Sequence, residues 1–167
     1  MITKDELNTR VQNVIHTLRK SKESDELGSM FFTAMKIRDD VSFTRILVSG
    51  MANIEVVDDK LRTPLLFAIS EVKIPSIYQQ RLIEFGANIV DPRDILRRNS
   101  VMLTAIHRGE KENRYLIGNL NDAQKEMAFG AEDIFRKTYL DYLQRYNKGL
   151  VYDPVIRDFI GTESIIV

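Results

Sequence analysis

The sequence predicts an all-α fold: a stack of helix-turn-helix units closed at each end by capping helices. Three observations predict it. Arg62-Thr63-Pro64-Leu65-Leu66-Phe67-Ala68 reads as a capped helix start, followed by a helix stop at Phe85-Gly86-Ala87-Asn88-Ile89. Weaker copies of both segments lie upstream and downstream. The flanks carry apolar residues at the spacing of one helical face.

Taken in chain order, the first element is a helix over residues 1–22. Thr3 and Glu6 have capping-box spacing, and Leu7, Val11, Val14, Ile15 and Leu18 fall on one stripe. Packing against a core is the ordinary use of such a stripe; a groove-binding or dimerising face is the other. Lys20 to Glu26 reads as a charged linker. Ser29-Met30-Phe31-Phe32-Thr33-Ala34-Met35 then opens the first unit, which closes at Arg45-Ile46-Leu47-Val48-Ser49-Gly50 and Ala52-Asn53-Ile54.

In the middle unit, the Thr63 hydroxyl can accept from backbone amides at a helix start, and Pro64 lacks an amide hydrogen where none is needed. Leu65, Ala68 and Ile69 give the apolar face. Glu71 to Ser76, with Pro75, reads as a lengthened turn, and Gly86 supplies the left-handed stop. Asp91-Pro92 reads as an added short helix start. A third unit opens at Ser100-Val101-Met102-Leu103-Thr104-Ala105-Ile106 and carries Tyr115-Leu116-Ile117 on its second helix. Asn121 stands where a closing glycine would be.

Residues 122–167 complete the chain. Met127, Ala131, Ile134, Phe135, Tyr139 and Tyr142 form a stripe between Asp122 and Asn147, with Gly130 a potential break. Asp153-Pro154 starts a last helix that Gly161 would end, and the tail Ile165-Ile166-Val167 either folds onto its own core or adds a strand to a partner.

These openings and closings, over residues 28–121, resemble diverged ankyrin repeats, whose period is roughly 33 residues. Ala34, Ala68 and Ala105 stand 34 and 37 positions apart, so the turns would carry small insertions. Departures are plain: Leu66 replaces the family's histidine, and the outer units lack proline. The resemblance implies an ankyrin-like stack with N- and C-terminal capping helices, working as a protein-protein interaction module through its concave face. It implies a partner protein that is inhibited or regulated, as by a bacterial effector or a phage or viral inhibitor. Carried over by position, the contact residues are Lys36 and Arg38 in the first unit, and Asp58, Asp59, Lys60, Arg62, Ser70 and Glu71 in the second. In the third they are Arg97, Arg98, His107 and Arg108. Charge reversal at Arg62 or Arg108 is then expected to weaken partner binding and leave the melting temperature nearly unchanged.

Composition fits a single domain, residues 1–167, with 44% hydrophobic residues and no cysteine. Cysteine-dependent nucleophiles, metal fingers and redox motifs are therefore excluded. The balance of 24 basic and 24 acidic residues argues against nucleic acid as partner. Arg93, Arg97, Arg98, Arg108, Lys111 and Arg114 form either a solvated face of exposed ion pairs or a docking face for an acidic protein. Met1-Ile2-Thr3-Lys4-Asp5-Glu6 is charged where a signal peptide would be apolar, and no stretch is long enough to span a bilayer. A cytoplasmic protein without a membrane partner is expected, or one delivered into a host cell without a visible leader.

No enzyme motif is present. His16 and His107 are the only histidines, and there is no Gly-x-Ser-x-Gly, His-Glu-x-x-His or phosphate-binding glycine loop. No catalytic residue, metal or cofactor is therefore assigned. Two other classes stay open: a self-associating helical protein paired through Phe135, Tyr139 and Tyr142, and an enzyme or nucleotide sensor with a pocket unlike these motifs.

Overall fold

Helix is the only regular structure in residues 1–160, the part of the chain that the computed structural model describes. The chain divides into two compact units, Met1–Val56 and Val57–Val167.

The first unit contains α1 (Lys4–Ile37) and α2 (Asp40–Ser49). The capping box forms as its spacing predicts: Thr3 Oγ1 accepts from the Glu6 amide at 3.2 Å, and Glu6 Oε2 accepts from the Thr3 amide at 2.9 Å. The expected linker at Lys20–Glu26 is instead part of one 34-residue helix. Neither Gly nor Pro interrupts that stretch, and Lys and Glu are good helix formers, so its charges mark a solvated helical face. Lys22 and Glu26 pair across one turn at 3.9 Å. Ser29 accordingly opens nothing; its hydroxyl donates to the Asp25 carbonyl inside the helix.

Gly28 is where the closing segment meets α1. A Cβ there would lie 2.2 Å from the Asn53 carbonyl oxygen and 2.8 Å from Val56 Cγ1, so only glycine allows the approach. The Asn53 amide donates to Ser24 O at 2.9 Å, and Asn53 Nδ2 donates to Asp25 Oδ1 at 2.8 Å. Phe31 meets Phe43 edge to face, 5.4 Å between ring centres. Asp39 caps α2 through Ser42, whose hydroxyl and amide hold its carboxyl below the usual range. Gly50 ends α2 in the left-handed region, φ 66°.

The second unit holds the remaining described helices: α3 (Pro64–Ser70), α4 (Ile77–Glu84), α5 (Ser100–His107), α6 (Glu110–Gly118), α7 (Asp122–Gly130), α8 (Tyr139–Tyr146), a 3-10 turn (Lys148–Tyr152) and α9 (Pro154–Ile160). Helices α3 and α4 form one hairpin and α5 and α6 another. α3 packs on α5, and α5 on α8. Such burial on several sides leaves Pro64 through Ile69 all buried, not one face alone. Thr63 caps α3 with Pro64 in the first turn, the lengthened turn lies at 71–76, and Gly86 adopts φ 92°, each as the sequence predicts.

Three expectations are corrected here. Asp91-Pro92 starts no helix; Asn88 Oδ1 accepts the Val90 and Asp91 amides, and this local turn competes with helix formation. Asn121 closes nothing but caps α7 in a capping box with Gln124. The stripe of 122–147 does break at Gly130, as that glycine suggests, into α7 and α8, but it does not form one face. Its residues part company: Tyr139 is fully buried while Met127, Ile134 and Phe135 are exposed. A homodimer face running through Phe135, Tyr139 and Tyr142 is therefore not available as one surface. Asp153 opens α9, accepting the Val155 amide at 3.0 Å. Gly161 and the Ile165-Ile166-Val167 tail lie outside the described residues.

Candidate functional site

One local structure recurs three times in the second unit and positions everything that follows. Asp58, Asp94 and Asp133 each begin a five-residue turn. In each, Oδ1 accepts backbone amides two and four residues ahead: Lys60 and Arg62 at 2.9 Å, Leu96 and Arg98 at 3.0 and 2.9 Å, Phe135 and Lys137 at 2.9 Å. The aspartate amide donates to the carbonyl four ahead at 3.0 Å in all three. The fourth residue is left-handed each time: Leu61 φ 59°, Arg97 φ 61°, Arg136 φ 60°. That conformation strains a non-glycine residue, and the Asp bonds hold it in place.

The sixth residue caps a helix: Thr63 on α3, Asn99 on α5, Thr138 on α8. The turns are joined edge to edge, the Ile95 amide donating to Lys60 O at 2.9 Å and the Ile134 amide to Leu96 O at 3.1 Å. The remaining carboxylate oxygen takes a partner in each case. Arg62 Nε lies 2.9 Å from Asp58 Oδ2 and Arg98 Nε 2.9 Å from Asp94 Oδ2, while the Tyr142 hydroxyl donates to Asp133. Burial and this bond to an anionic acceptor push the Tyr142 hydroxyl up to about 12.

A second repeated device ties the helices together. The residue just past the end of one helix caps the end of an earlier helix packed against it. Arg108, after α5, donates to the carbonyls of Ala68, Ile69, Glu71 and Ile74 at the end of α3, at 2.5 to 3.1 Å. With its oxygen turned towards the same guanidinium, the Gln79 amide accepts from Arg108 Nε at 3.0 Å. Asn147, after α8, donates to Ala105 O and Arg108 O at the end of α5. Orphan carbonyls of short helices are thus satisfied from the helix packed alongside.

These contacts sort the residues singled out from the sequence. Asp58, Arg62, Arg98 and Arg108 have their charged groups engaged inside the fold. Arg62 also meets Glu71 at 3.1 Å and lies over the Phe67 ring at 4.9 Å. The Ser70 hydroxyl donates to Leu66 O of its own helix. The expectation that charge reversal at Arg62 or Arg108 spares the melting temperature is therefore revised. His107 is half-buried; burial first, then Arg98 and Arg108, push its imidazole below the usual histidine range. Asp59, Lys60 and Arg97 do reach solvent at the turn tips. Lys36 and Arg38 lie in the first unit, Arg38 as the left-handed C-cap of α1. His16 lies on the exposed part of α1, in the other unit from His107.

The tips also present Leu61 and Ile95, which the sequence reading did not single out, and Ile134 and Phe135, which it placed in a terminal helical stripe. Leu61, Ile95, Ile134 and Phe135 are 49 to 60% exposed, with Arg97, Arg136 and Lys137 among them. Beside the third turn, Phe135, Lys137, Asp141, Tyr142, Gln144 and Arg145 line an open concavity of about 690 Å³. The signal was present as Asp-x-x-x-(Arg/Lys)-(Thr/Asn) at 58, 94 and 133. Among the described residues, no three His, Cys, Asp or Glu side chains gather closely enough to hold a metal, and no helix is long and apolar enough to cross a membrane.

No protein-family model matches the chain, and comparison with curated proteins finds no matching relative.

Proposed function

We propose that the chain is a protein-protein interaction module, an ankyrin-like stack that binds and regulates another protein through the turn tips of its second unit. The observation that carries this reading is the row of three hydrogen-bonded Asp turns, which holds exposed apolar and basic side chains side by side on a rigid frame. Nearly every buried polar group in this frame has an internal partner, yet Leu61, Ile95, Ile134 and Phe135 point to water without one. Exposed apolar residues grouped with arginine are the composition of an interface centre, while rigid turns reduce the ordering cost of association.

Charge indicates the partner's chemistry. Arg97, Arg136, Lys137 and Arg145 outnumber Asp59 and Asp141 around the tips and the concavity, so the complementary surface is acidic around an apolar centre.

The test is affinity capture from native lysate with a tip variant, Ile95→Glu together with Phe135→Glu, as control. Both positions are exposed, so the variant keeps the native melting temperature. The reading predicts a protein retained by the native chain and released by the variant. Equal recovery by both forms would remove the tips as the binding surface.

A further inference from the structure

The three Asp turns differ in how the second carboxylate oxygen is held, and that difference releases a cation. Arg62 and Arg98, each four residues after its aspartate, commit their guanidinium groups to Asp58 and Asp94 at 2.9 Å. In the third turn the same place holds Lys137, and Asp133 instead takes the Tyr142 hydroxyl from α8. Among the described residues, neither Lys137 nor Arg145 forms an ion pair. Both line the concavity beside this turn, with the rings of Phe135 and Tyr142. The acid of the same wall, Asp141, is engaged in the cap of α8, its Oδ2 accepting from the Thr138 amide at 2.8 Å and hydroxyl at 3.1 Å. Arg145 lies over the Tyr146 ring at 5.3 Å, a stacking that limits its freedom before an anion arrives.

The shape narrows the occupant. About 690 Å³ is in the range of ligand clefts, but Phe135, Lys137, Asp141 and Arg145 are all exposed. A small molecule there would stay largely wet, whereas small-molecule sites bury about 70–90% of the ligand. A few residues of extended chain laid across the opening suit it better. We propose that the concavity anchors an acidic linear segment of a partner protein: one aromatic side chain seated against Phe135 and Tyr142, with carboxylates on either side of it meeting Lys137 and Arg145. This rests on the reading of the second unit as an interaction module and narrows the partner's contact to one segment. Exposed ion pairs add little affinity alone, so the aromatic anchor carries most of the binding and the cations most of the selectivity.

The probe is a fluorescein-labelled peptide, Ser-Glu-Asp-Phe-Asp-Glu-Ser, titrated with the native chain at low salt and read by anisotropy. Saturable binding is predicted, weakened at least five-fold when the peptide's phenylalanine becomes serine or its four acids become amides. Lys137→Gln with Arg145→Gln should weaken it at least ten-fold at unchanged melting temperature. Lys60→Gln, exposed at the first turn, should leave it unaltered. No saturable binding, or equal binding by the phenylalanine-free peptide or by the double variant, would overturn the proposal. So would tighter binding of oligothymidylate, which aromatic and basic side chains also attract, or of a synthetic peptide of residues 161–167, or a dimer of the native chain that the double variant dissolves. Failure here is separable from failure of the broader reading. A captured partner released by Ile95→Glu/Phe135→Glu but retained by Lys137→Gln/Arg145→Gln would remove the concavity as the anchor and leave the module standing. Peptide binding as predicted with no partner captured would support the anchor alone.

Discussion

At the scale of single residues, the guanidinium of Arg108 is the clearest case of one side chain organising several backbones. It satisfies carbonyls of four residues at and beyond the end of α3, and the donors form a planar fork that an ammonium cannot reproduce. Arg108→Gln is predicted to lower stability by about 3 kcal/mol in urea denaturation, the range for several charge-assisted bonds lost together, and Arg108→Lys to recover less than half. His107 gives a pH dependence. Its folded pKa lies below its unfolded value, so the unfolded chain binds the extra proton first as pH falls. The stability it contributes is complete above the unfolded histidine pKa and declines below it. Denaturation midpoints are therefore predicted to fall between pH 7 and pH 5, and His107→Gln to flatten that slope. Asp39, whose carboxyl is held below its usual range, contributes its own loss only in more acidic solution, so the two windows separate.

At the scale of elements, local chemistry set the helix ends and long-range contact set the rest. Thr3, Thr63-Pro64, Gly50, Gly86 and the 71–76 turn act within a few residues of themselves, and each was legible in the sequence. The run from Lys20 to Glu26 was not, because charge density alone does not separate a linker from a solvated helix face. Nor was the burial of Tyr139, which depends on Asn113 meeting its hydroxyl at 3.0 Å and Phe129 stacking on its ring. Gly28 shows how propensity and packing oppose one another. Alanine favours a helix interior by about 1 kcal/mol over glycine, but here its Cβ would press on the Asn53 backbone. Gly28→Ala is predicted to destabilise the first unit by about 1–3 kcal/mol, as overpacking does. A rise in melting temperature would show that the 52–56 segment yields easily.

At the scale of the molecule, a repeating pattern is visible in the sequence, but its strongest marker, the Asp turn, has the look of a solvated loop. Asp58 and Arg62 look like exposed contact residues because they are charged and lie in a turn; their hydrogen bonds are local and invisible to hydrophobic periodicity. The alanine spacing pointed to units opening at Ser29, Thr63 and Ser100. The Asp turns instead open helices at Thr63, Asn99 and Thr138, so the third turn falls where a terminal stripe was read. The candidate surface was correspondingly half legible: Asp59, Lys60 and Arg97 came from the carried-over positions. Ile134 and Phe135 were legible only as members of a terminal stripe, and their place beside Ile95 emerges when the three turns are set side by side.

The frame and its tips should accordingly separate by experiment. With a captured partner in hand, its affinity and the chain's melting temperature would be measured together for Ile95→Glu/Phe135→Glu and for Arg108→Gln. The account predicts that the tip variant loses at least ten-fold in affinity at unchanged melting temperature, and that the Arg108 variant melts earlier while its folded fraction still binds. Full affinity in the tip variant would contradict the central claim that the turn tips are the binding surface.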